Sequence, residues 1–331
     1  PASGSSSSST SASSNLAISS YDDQMRNVGT FLQSKLASGP LTLNAGMRAE
    51  RSSSFGDDRG AAWSPSFGAA WTQPIGSWAL RLRSGWGRGI RAPEPGMSRG
   101  LASGTYEQLA NPDLAPESQA GIEFGADLYT GPGSYLRATY FDQRASDLIQ
   151  SVLIPDHSGV ITGFQYQNVG AIRNRGFELE AGARHRRLSL DAQFYATSSR
   201  VERLARNYSG SLRVGDQLPE IPSSSGSLRL SYGLPGLQFG TGVHYLGSWT
   251  GYDWNMIAQA TSGTGRVPAN QTLLRRYPGL VMPYLHLSAD LVRELSGYLS
   301  IDNLTNAVRF DSYTGTRSVG RSVLIGIEFR P

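Results

Sequence analysis

The stretch LQFGTGVHYLGSW, residues 237–249, carries the pattern on which the fold depends. Apolar residues recur along it, and polar or small residues fill the positions between them. A period of two is that of a β-strand with one apolar and one polar face. The pattern therefore predicts that Val243 and His244 point to opposite faces of a sheet. The apolar positions are Leu237, Phe239, Val243, Tyr245 and Trp249.

The same alternation recurs along most of the chain, and we count about thirteen strands that run up and down. Each has an apolar face and a face with charged or polar side chains, as the neighbours Phe177 and Glu178 illustrate. The other clear strands are predicted at 41–50, 78–87, 122–128, 177–184, 188–197 and 321–329, and weaker ones at 27–38, 61–72, 134–150, 223–233, 283–293 and 298–308.

Short and long connections alternate between these strands. This is the arrangement of a transmembrane β-barrel, which has short periplasmic turns and longer extracellular loops. The fold class predicted is therefore all-β, an antiparallel up-and-down transmembrane β-barrel. The tight connections are predicted at 38–40, 74–76, 131–133, 185–187, 234–236 and 295–297, and the long loops at 51–60, 88–117, 151–163, 202–222, 250–282 and 309–320.

Aromatic residues near both ends of the strands support the barrel. Girdles of aromatic side chains mark the two membrane interfaces of such proteins. We expect one girdle beside the short turns and another near the long loops. Their members would be Trp78, Tyr129, Tyr135, Tyr298 and Phe329 on the first side, and Trp86 and Trp249 on the second.

Composition excludes several other classes of protein. Apolar residues make up 39% of the 331, and no stretch approaches the roughly 20 consecutive apolar residues of a spanning helix. The net charge of +4 and the lack of a basic run argue against a nucleic-acid partner. The chain has no cysteine, so disulfides and thiolate metal sites are excluded. Its four histidines are far apart in sequence, and we expect no metal site and no cofactor.

One motif imitates a catalytic site. Residues 96–100 read Gly-Met-Ser-Arg-Gly, which fits the nucleophile elbow of hydrolases. That elbow requires a strand before it and a helix after it, whereas here Pro93 and Pro95 precede it within a long loop. We therefore expect no catalytic residue and no enzymatic activity.

Several motifs resemble those of one family in order and spacing. From about residue 27 onward the chain is similar to the C-terminal barrel of TonB-dependent outer-membrane receptors. Val28–Gln33 with Leu41–Arg48 resembles FxQ…LTLxxGxR, Gly85–Pro93 resembles YGxGFRAP, and Asn111–Glu117 resembles NPxLxPE. Asn168–Gly170 with Arg175–Glu180 resembles N…A…RGxExE, and Asp302–Asn306 resembles xNLxD.

The resemblance implies a barrel of about 22 strands, of which about thirteen are expected here. An odd strand count places residues 1–26 on the extracellular side, since the final strand ends beside a short turn. We therefore interpret 1–26 as a Ser-rich extracellular loop or flexible tail and 27–331 as the C-terminal portion of the barrel. We expect the plug domain and the first strands to lie outside this sequence.

The resemblance also implies a function and partners. It suggests a fragment of an integral bacterial outer-membrane receptor that takes up a scarce solute in a ligand-specific, TonB-coupled way. The small-molecule ligand would be an iron–siderophore complex, haem, cobalamin or a saccharide. The expected macromolecular partners are the outer-membrane lipid, TonB through the missing N-terminal region, and the barrel-assembly machinery through the last strand, which ends at Phe329.

Aromatic and arginine side chains in the long loops are the candidate ligand-binding residues, because stacking and charge-assisted hydrogen bonds would hold such a ligand. Two other functions stay open from the sequence. A passive, porin-like channel would also have a polar lumen, and a soluble all-β binding protein would pack each apolar strand face on another protein layer. The candidate residues are Arg99, Tyr106, Tyr252, Trp254, Arg275, Arg276 and Tyr313.

Overall fold

The computed structural model describes residues 25–55, 60–94, 96–103, 106–267, 273–310 and 317–329, without the side chains of residues 102, 103 and 106. Apart from Met25 and Arg26, the predicted segment 1–26 lies outside the described residues. The backbone N–H of Arg26 donates to the hydroxyl of Ser53 at 3.0 Å, so Arg26 contacts the loop after the second strand.

The described residues form nineteen strands, one α-helix and one 3₁₀ turn at Ser53–Phe55. The strands and the helix are β1 Asn27–Ser38, β2 Leu41–Ser52, β3 Ala62–Ile75, β4 Trp78–Arg91, β5 Leu101–Ser103, β6 Tyr106–Leu109, β7 Glu117–Gly131, β8 Ser134–Ser146, β9 Ile149–Pro155, β10 Ile161–Asn168, β11 Gly170–His185, β12 Leu188–Leu204, β13 Ser224–Leu234, β14 Leu237–Leu246, β15 Trp249–Tyr252, α1 Trp254–Thr261, β16 Leu274–Tyr277, β17 Leu280–Val292, β18 Leu295–Asp302 and β19 Ser322–Phe329.

Thirteen long strands form one antiparallel sheet, which confirms the predicted count. Its order is β1-β2-β3-β4-β7-β8-β11-β12-β13-β14-β17-β18-β19, so each long strand pairs with the next one along the chain. This is an up-and-down meander. Within the described ranges β1 and β19 lie at the two ends of the sheet and do not pair with each other, so the sheet is an open part of a barrel wall.

Five of the six predicted tight turns lie between consecutive long strands, as expected. Gly39 (φ 53°) and Gly76 (φ 61°) supply the left-handed backbone that a two-residue hairpin turn requires at its first position. The sixth turn was predicted wrongly at 295–297. Leu295 pairs with Phe329 and thus belongs to β18, so the turn comprises residues 293 and 294.

The register gathers the apolar side chains on one face of the sheet. Val243 lies opposite Leu228 and Pro283 on this face, whereas His244 lies opposite Ser227 and Met282 on the other, as predicted. Many large apolar side chains of the first face are exposed, including Leu82 (45%) and Val281 (48%). Such a continuous apolar band is the surface that a barrel turns to lipid. One row of opposed residues across nine strands is Trp71, Leu82, Ala126, Ala138, Leu179, Phe194, Gly226, Tyr245 and Val281.

The predicted aromatic girdles are only partly right. Trp78, Trp86 and Phe329 do lie on the apolar face. Tyr129, Tyr135 and Tyr298 lie on the polar face instead, because register, and not distance from a turn, decides which way a side chain points. Arg137 lies on the polar face, opposite Glu180, and its guanidinium is 5.8 Å and 4.4 Å from the ring centroids of Tyr129 and Tyr135. These contacts place both tyrosines on the same face. Trp249 belongs to β15, outside the large sheet.

The polar face carries ion pairs between neighbouring strands. The guanidinium of Arg83 lies 3.2 Å from the carboxylate of Asp127 and also donates to the hydroxyl of Thr139. Arg137 and Glu180, at 3.3 Å, link β8 to β11. These pairs fasten the wall from its lumen side, which is a structural role for charged residues.

The long loops fold into a layer at one end of the large sheet. β5, β6, β10 and β9 form a four-stranded sheet, and β15 and β16 form a separate hairpin that flanks α1. The carboxylate of Asp253 accepts from the backbone N–H groups of Asn255 and Met256, which fixes the start of this helix. In the described part of the chain, no helix is long and apolar enough to cross a membrane.

An apolar cluster anchors the loop layer to the polar face. It joins the upper parts of β8, β11 and β12 to Leu212 and Leu218 of the loop at 205–223, so these two side chains lie on the lumen side of the wall. Its buried members are Ala145, Val169, Ile172, Val201, Leu212 and Leu218.

Two asparagines from the recognised motifs tie the loops together. The side-chain amide of Asn168 donates to the carbonyl groups of Ala115 (2.9 Å) and Asp147 (2.6 Å), and its oxygen accepts from the N–H of Ala115 at 2.8 Å. The amide of Asn111 donates to the carbonyl of Tyr166 at 2.7 Å. The role of both motif residues here is to hold the loop layer in place.

Candidate ligand-binding site

A rigid aromatic pair supports the hairpin of β15 and β16. Trp249 stacks on Tyr277 with ring centroids 4.3 Å apart and planes within 12° of parallel, and only 2% of Trp249 is exposed. The phenol of Tyr277 donates to the carbonyl of Tyr252 at 2.5 Å. Burial raises the pKa of the Tyr277 phenol, so this group keeps its proton and its donor role at neutral pH.

Three of the predicted ligand-binding residues lie together on this hairpin and the start of α1. The rings of Tyr252 and Trp254 are in an edge-to-face contact at 6.1 Å. The guanidinium of Arg275 lies 3.9 Å from the carboxylate of Asp253 and 5.8 Å from the ring centroid of Tyr277. Trp254 is 40% exposed and the side chain of Arg275 is 55% exposed. Tyr252 and Trp254 thus form an aromatic pair, while Arg275, opposite Gly251, lies on the other face of the hairpin from Tyr252. We call these three residues the platform.

The other four predicted residues do not join this platform. Arg276, one position along β16, lies opposite Thr250 on the other face of the hairpin from Arg275, and its guanidinium donates to the hydroxyl of Ser248 at 2.9 Å. Arg99 lies in a different loop, where its backbone carbonyl accepts from the side chain of Gln108 at 2.7 Å. Tyr106 belongs to β6, but its side chain lies outside the described part, and Tyr313 lies outside it altogether.

A cavity of about 690 Å³ lies beside the platform. Its volume is in the range of small-molecule pockets. Segments of three loops bound it, at 152–159, 209–213 and 266–267, and Tyr252 contributes from β15. The hydroxyl of Tyr252 donates to the carbonyl of Ser151 at 3.1 Å and so connects the platform to the cavity wall. The sequence analysis missed this cavity, because its walls come from segments about 50 residues apart with no shared motif.

The cavity is lined by more basic than acidic groups. Arg213, Arg266 and His157 line it, against Asp156 as the acidic residue. The Ser158 hydroxyl and the backbone N–H of Val160 both donate to the Asp156 carboxylate, which lowers the pKa of that group and keeps it charged. Two arginines against one charged carboxylate leave the lining of the cavity with a net positive charge.

A second recess of about 880 Å³ lies on the polar face of the wall. Glu178, Tyr195 and His244 line it from the strands, and Arg317 and its neighbours close it from the loop before β19. Aromatic contacts link that loop to the platform hairpin: Phe310 contacts the ring of Tyr277 at 5.4 Å, and Arg317 lies 5.5 Å from the ring centroid of Phe310. The platform, the cavity and the recess are therefore parts of one connected layer.

Across the described ranges no group of three His, Asp or Glu side chains is arranged to hold a metal ion. The segment that imitates a nucleophile elbow forms a turn at residues 96–98, without the strand–turn–helix arrangement of that motif.

Comparison with known proteins places the chain among outer-membrane receptors. A family model described as TonB dependent receptor-like, beta-barrel, matches residues 2–315. A TonB-dependent receptor of Formosa agariphila is 27% identical over 231 residues, which covers 61% of this chain and 22% of that protein. The crystal structure of the siderophore receptor PirA from Acinetobacter baumannii is similar, with a TM-score of 0.68 at 15% identity, over 97% of this chain and 49% of that one.

The ferric enterobactin receptor PfeA from Pseudomonas aeruginosa gives a TM-score of 0.63 at 17% identity, over 92% of this chain and 45% of that one. At such identities the likeness is one of fold. The chain spans less than half the length of each of these three relatives.

Proposed function

Because the chain belongs to the TonB-dependent receptor β-barrel family, whose members are transport receptors of the outer membrane, we propose that it forms barrel wall and ligand-capture surface of an uptake receptor. The electropositive cavity beside the aromatic platform supports the proposal most strongly. Both lie in the long-loop layer, which is the extracellular side of a barrel with this pattern of turns. A solute captured there would reach the lumen past the recess near Arg317.

The ligand that we propose is an anionic, aromatic chelate of iron, as in a ferric siderophore complex. Two of the solved relatives are a ferric enterobactin receptor and a siderophore receptor. Trp254 and Tyr252 offer ring faces and edges for stacking, while Arg275, Arg213 and Arg266 offer guanidinium groups for negatively charged oxygens. Haem, cobalamin and saccharides are the competing ligands in the test below.

Uptake by this receptor would depend on other proteins. We propose that TonB supplies the energy through a region of the full receptor outside this sequence, and that the barrel-assembly machinery inserts the barrel through β19. The exposed edge of this strand supports the second proposal, since Phe329 and its neighbours pair on one side only within the described strands.

We expect the double variant Trp254→Ala/Arg275→Gln to weaken ligand binding by roughly 70-fold. This follows from the loss of one aromatic contact, about 1 kcal/mol, and one charge-assisted hydrogen bond, about 1.5 kcal/mol. The binding constants of a ferric siderophore panel, haem, cobalamin and oligosaccharides would be measured by quenching of tryptophan fluorescence on the purified receptor.

Arg276→Gln is the matched control, because it removes the same charge from the opposite side of β16. Its affinity should stay within about twofold of the wild type, since an exposed charge away from the ligand contributes little. Tight binding that neither variant changes would show that the platform is not the capture site. Binding of a saccharide or haem alone would overturn the proposed ligand class.

A further inference from the structure

Four arginines lie on the outer, lipid-facing side of the sheet, and we call them the arginine cluster: Arg144, Arg173, Arg175 and Arg200. Arg144 of β8, Arg173 of β11 and Arg200 of β12 are directly opposite one another in a single row of the ladder. Like charges in directly opposed positions destabilise a sheet. Negatively charged groups near this row would therefore stabilise the sheet by offsetting the repulsion.

The side on which these arginines lie is fixed by their neighbours. The residues that alternate with them along the same strands, Ala145, Ile172 and Val201, are between 0% and 6% exposed and pack under the loop layer on the lumen side. The arginines must then point outward. Their exposure agrees, since 61% of the Arg144 side chain and 40% of the Arg173 side chain are accessible to solvent.

The protein itself neutralises only part of this charge. Glu202 accepts two hydrogen bonds from Arg144, at 2.7 and 3.1 Å, and Asp142 pairs with Arg173. Arg200 donates to the backbone carbonyl of Gly215 at 2.8 Å, which carries no net charge. In the described part of the chain, no hydrogen-bond partner or ion-pair partner is seen for the Arg175 guanidinium. Asp142 also lies opposite Arg175 in the ladder, so it is shared between Arg173 and Arg175. Four arginines against two carboxylates leave the arginine cluster with a net charge of +2.

The height of the arginine cluster on the wall identifies what faces it. Arg173 stands twelve residues from the turn end of β11 at His185. At about 3.3 Å per residue and a strand tilt of about 40°, this places it roughly 30 Å above the turn, just beyond an apolar band of about 25 Å. Directly below lie the exposed rings of Tyr140 and Phe177, at the level of a membrane interface.

We propose that the arginine cluster binds phosphate-bearing headgroups of lipids in the outer leaflet. This rests on the proposed membrane location of the wall, but not on the identity of the transported ligand. A phosphate has the charge and the oxygen geometry that arginine forks engage in pairs of hydrogen bonds. The four guanidinium groups together supply the net positive charge, and the carboxylates of Glu202 and Asp142 orient Arg144 and Arg173.

The test compares lipid binding by the detergent-purified receptor and two double variants. Arg175→Gln/Arg200→Gln removes two of the four positive charges and so the net charge of the arginine cluster. Arg81→Gln/Arg229→Gln removes two arginines from the polar, lumen face and serves as the matched control. The probes are lipid A with two phosphates and the same lipid with its phosphates removed, and native mass spectrometry measures the fraction of protein that retains each lipid.

We expect Arg175→Gln/Arg200→Gln to bind the phosphorylated lipid roughly 30-fold more weakly, because each basic residue near an anionic lipid contributes roughly fivefold. The control should bind within about threefold of the wild type, and the dephosphorylated lipid should bind all three proteins alike. Equal losses in both double variants, or no loss in either, would overturn the proposal. Heat-dependent migration in a gel verifies that each variant is folded.

Different results would contradict the proposed membrane location and the proposed role of the arginine cluster. A protein that stays monodisperse in buffer without detergent would contradict the membrane location itself. A protein that requires detergent, transports its ligand and shows no preference for phosphorylated lipid would contradict only the role of the arginine cluster.

Discussion

Replacing Val243 with arginine is expected to destabilise the membrane-inserted protein by about 2–4 kcal/mol, the cost of a charge on the lipid side near the middle of the bilayer. Val243 stands six residues from the turn end of β14 at Leu237. At about 3.3 Å per residue and a tilt of about 40°, it lies roughly 15 Å above the turn, close to the middle of the apolar band. Its opposed neighbours are the apolar residues Leu228 and Pro283.

His244→Arg is the matched control, because it places the same side chain one residue further along the same strand. His244 lies on the polar face, opposite Ser227 and stacked on Tyr284 at 5.2 Å. The lumen accepts charge, so we expect a loss below about 1 kcal/mol. Urea unfolding in lipid vesicles measures both free energies. Equal losses in the two variants would contradict the assignment of the faces.

Trp249→Ala is expected to unfold the platform hairpin locally, at a cost of about 3–5 kcal/mol, the usual range for a buried tryptophan. Trp249 is 2% exposed and stacks on Tyr277, and a Cβ atom at Gly251 would collide with its ring, so the hairpin is built around it. Hydrogen exchange should show loss of protection in β15 and β16, whereas β14 and β17 keep theirs. Ligand affinity should fall with the hairpin, because Tyr252 and Arg275 lose their fixed positions.

Trp249→Phe separates packing from hydrogen bonding at this position. The indole Nε1 of Trp249 is buried and has no hydrogen-bond partner among the described residues. Phenylalanine keeps a stacking ring and removes that unpaired donor, so we expect the backbone amides of the hairpin to stay almost fully protected from hydrogen exchange. If Trp249→Ala left exchange and affinity unchanged, the hairpin would not be the support of the platform.

Most features of the barrel wall could be predicted from the sequence. Alternation in segments such as 177–184 depends only on local contacts with the two sides of a sheet, so strand positions, strand number and the opposite facing of Val243 and His244 could all be predicted. Proline or glycine marked four of the five correctly placed turns, because proline fixes φ and glycine permits a positive φ, whereas the turn at 185–187 contains neither. The sixth turn, formed by Arg293 and Glu294, contains neither residue and was placed two residues too late.

The site depended on contacts that no local pattern contains. The cavity brings together Asp156, Arg213 and Arg266, whose loops lie in three separate parts of the sequence. The tyrosines at 129, 135 and 298 were assigned to a lipid interface because they adjoin turns, but the register turns them to the lumen. The helix α1 has only eight residues and lies within a long loop, so it is too short for a clear helical period in the sequence.

The central claim, that one face of this sheet meets lipid and the other meets water, can be tested most directly by a cysteine scan along β14 in native outer membranes. The chain has no cysteine, so single substitutions from Gln238 to Tyr245 each introduce one reporter into this sequence. Gly242 is left out, because a Cβ atom there would collide with the carbonyl of Leu228. A water-soluble maleimide should label positions 238, 240 and 244 and leave 239, 241, 243 and 245 unlabelled until detergent is added. Labelling of both sets to the same extent in intact membranes would contradict the account.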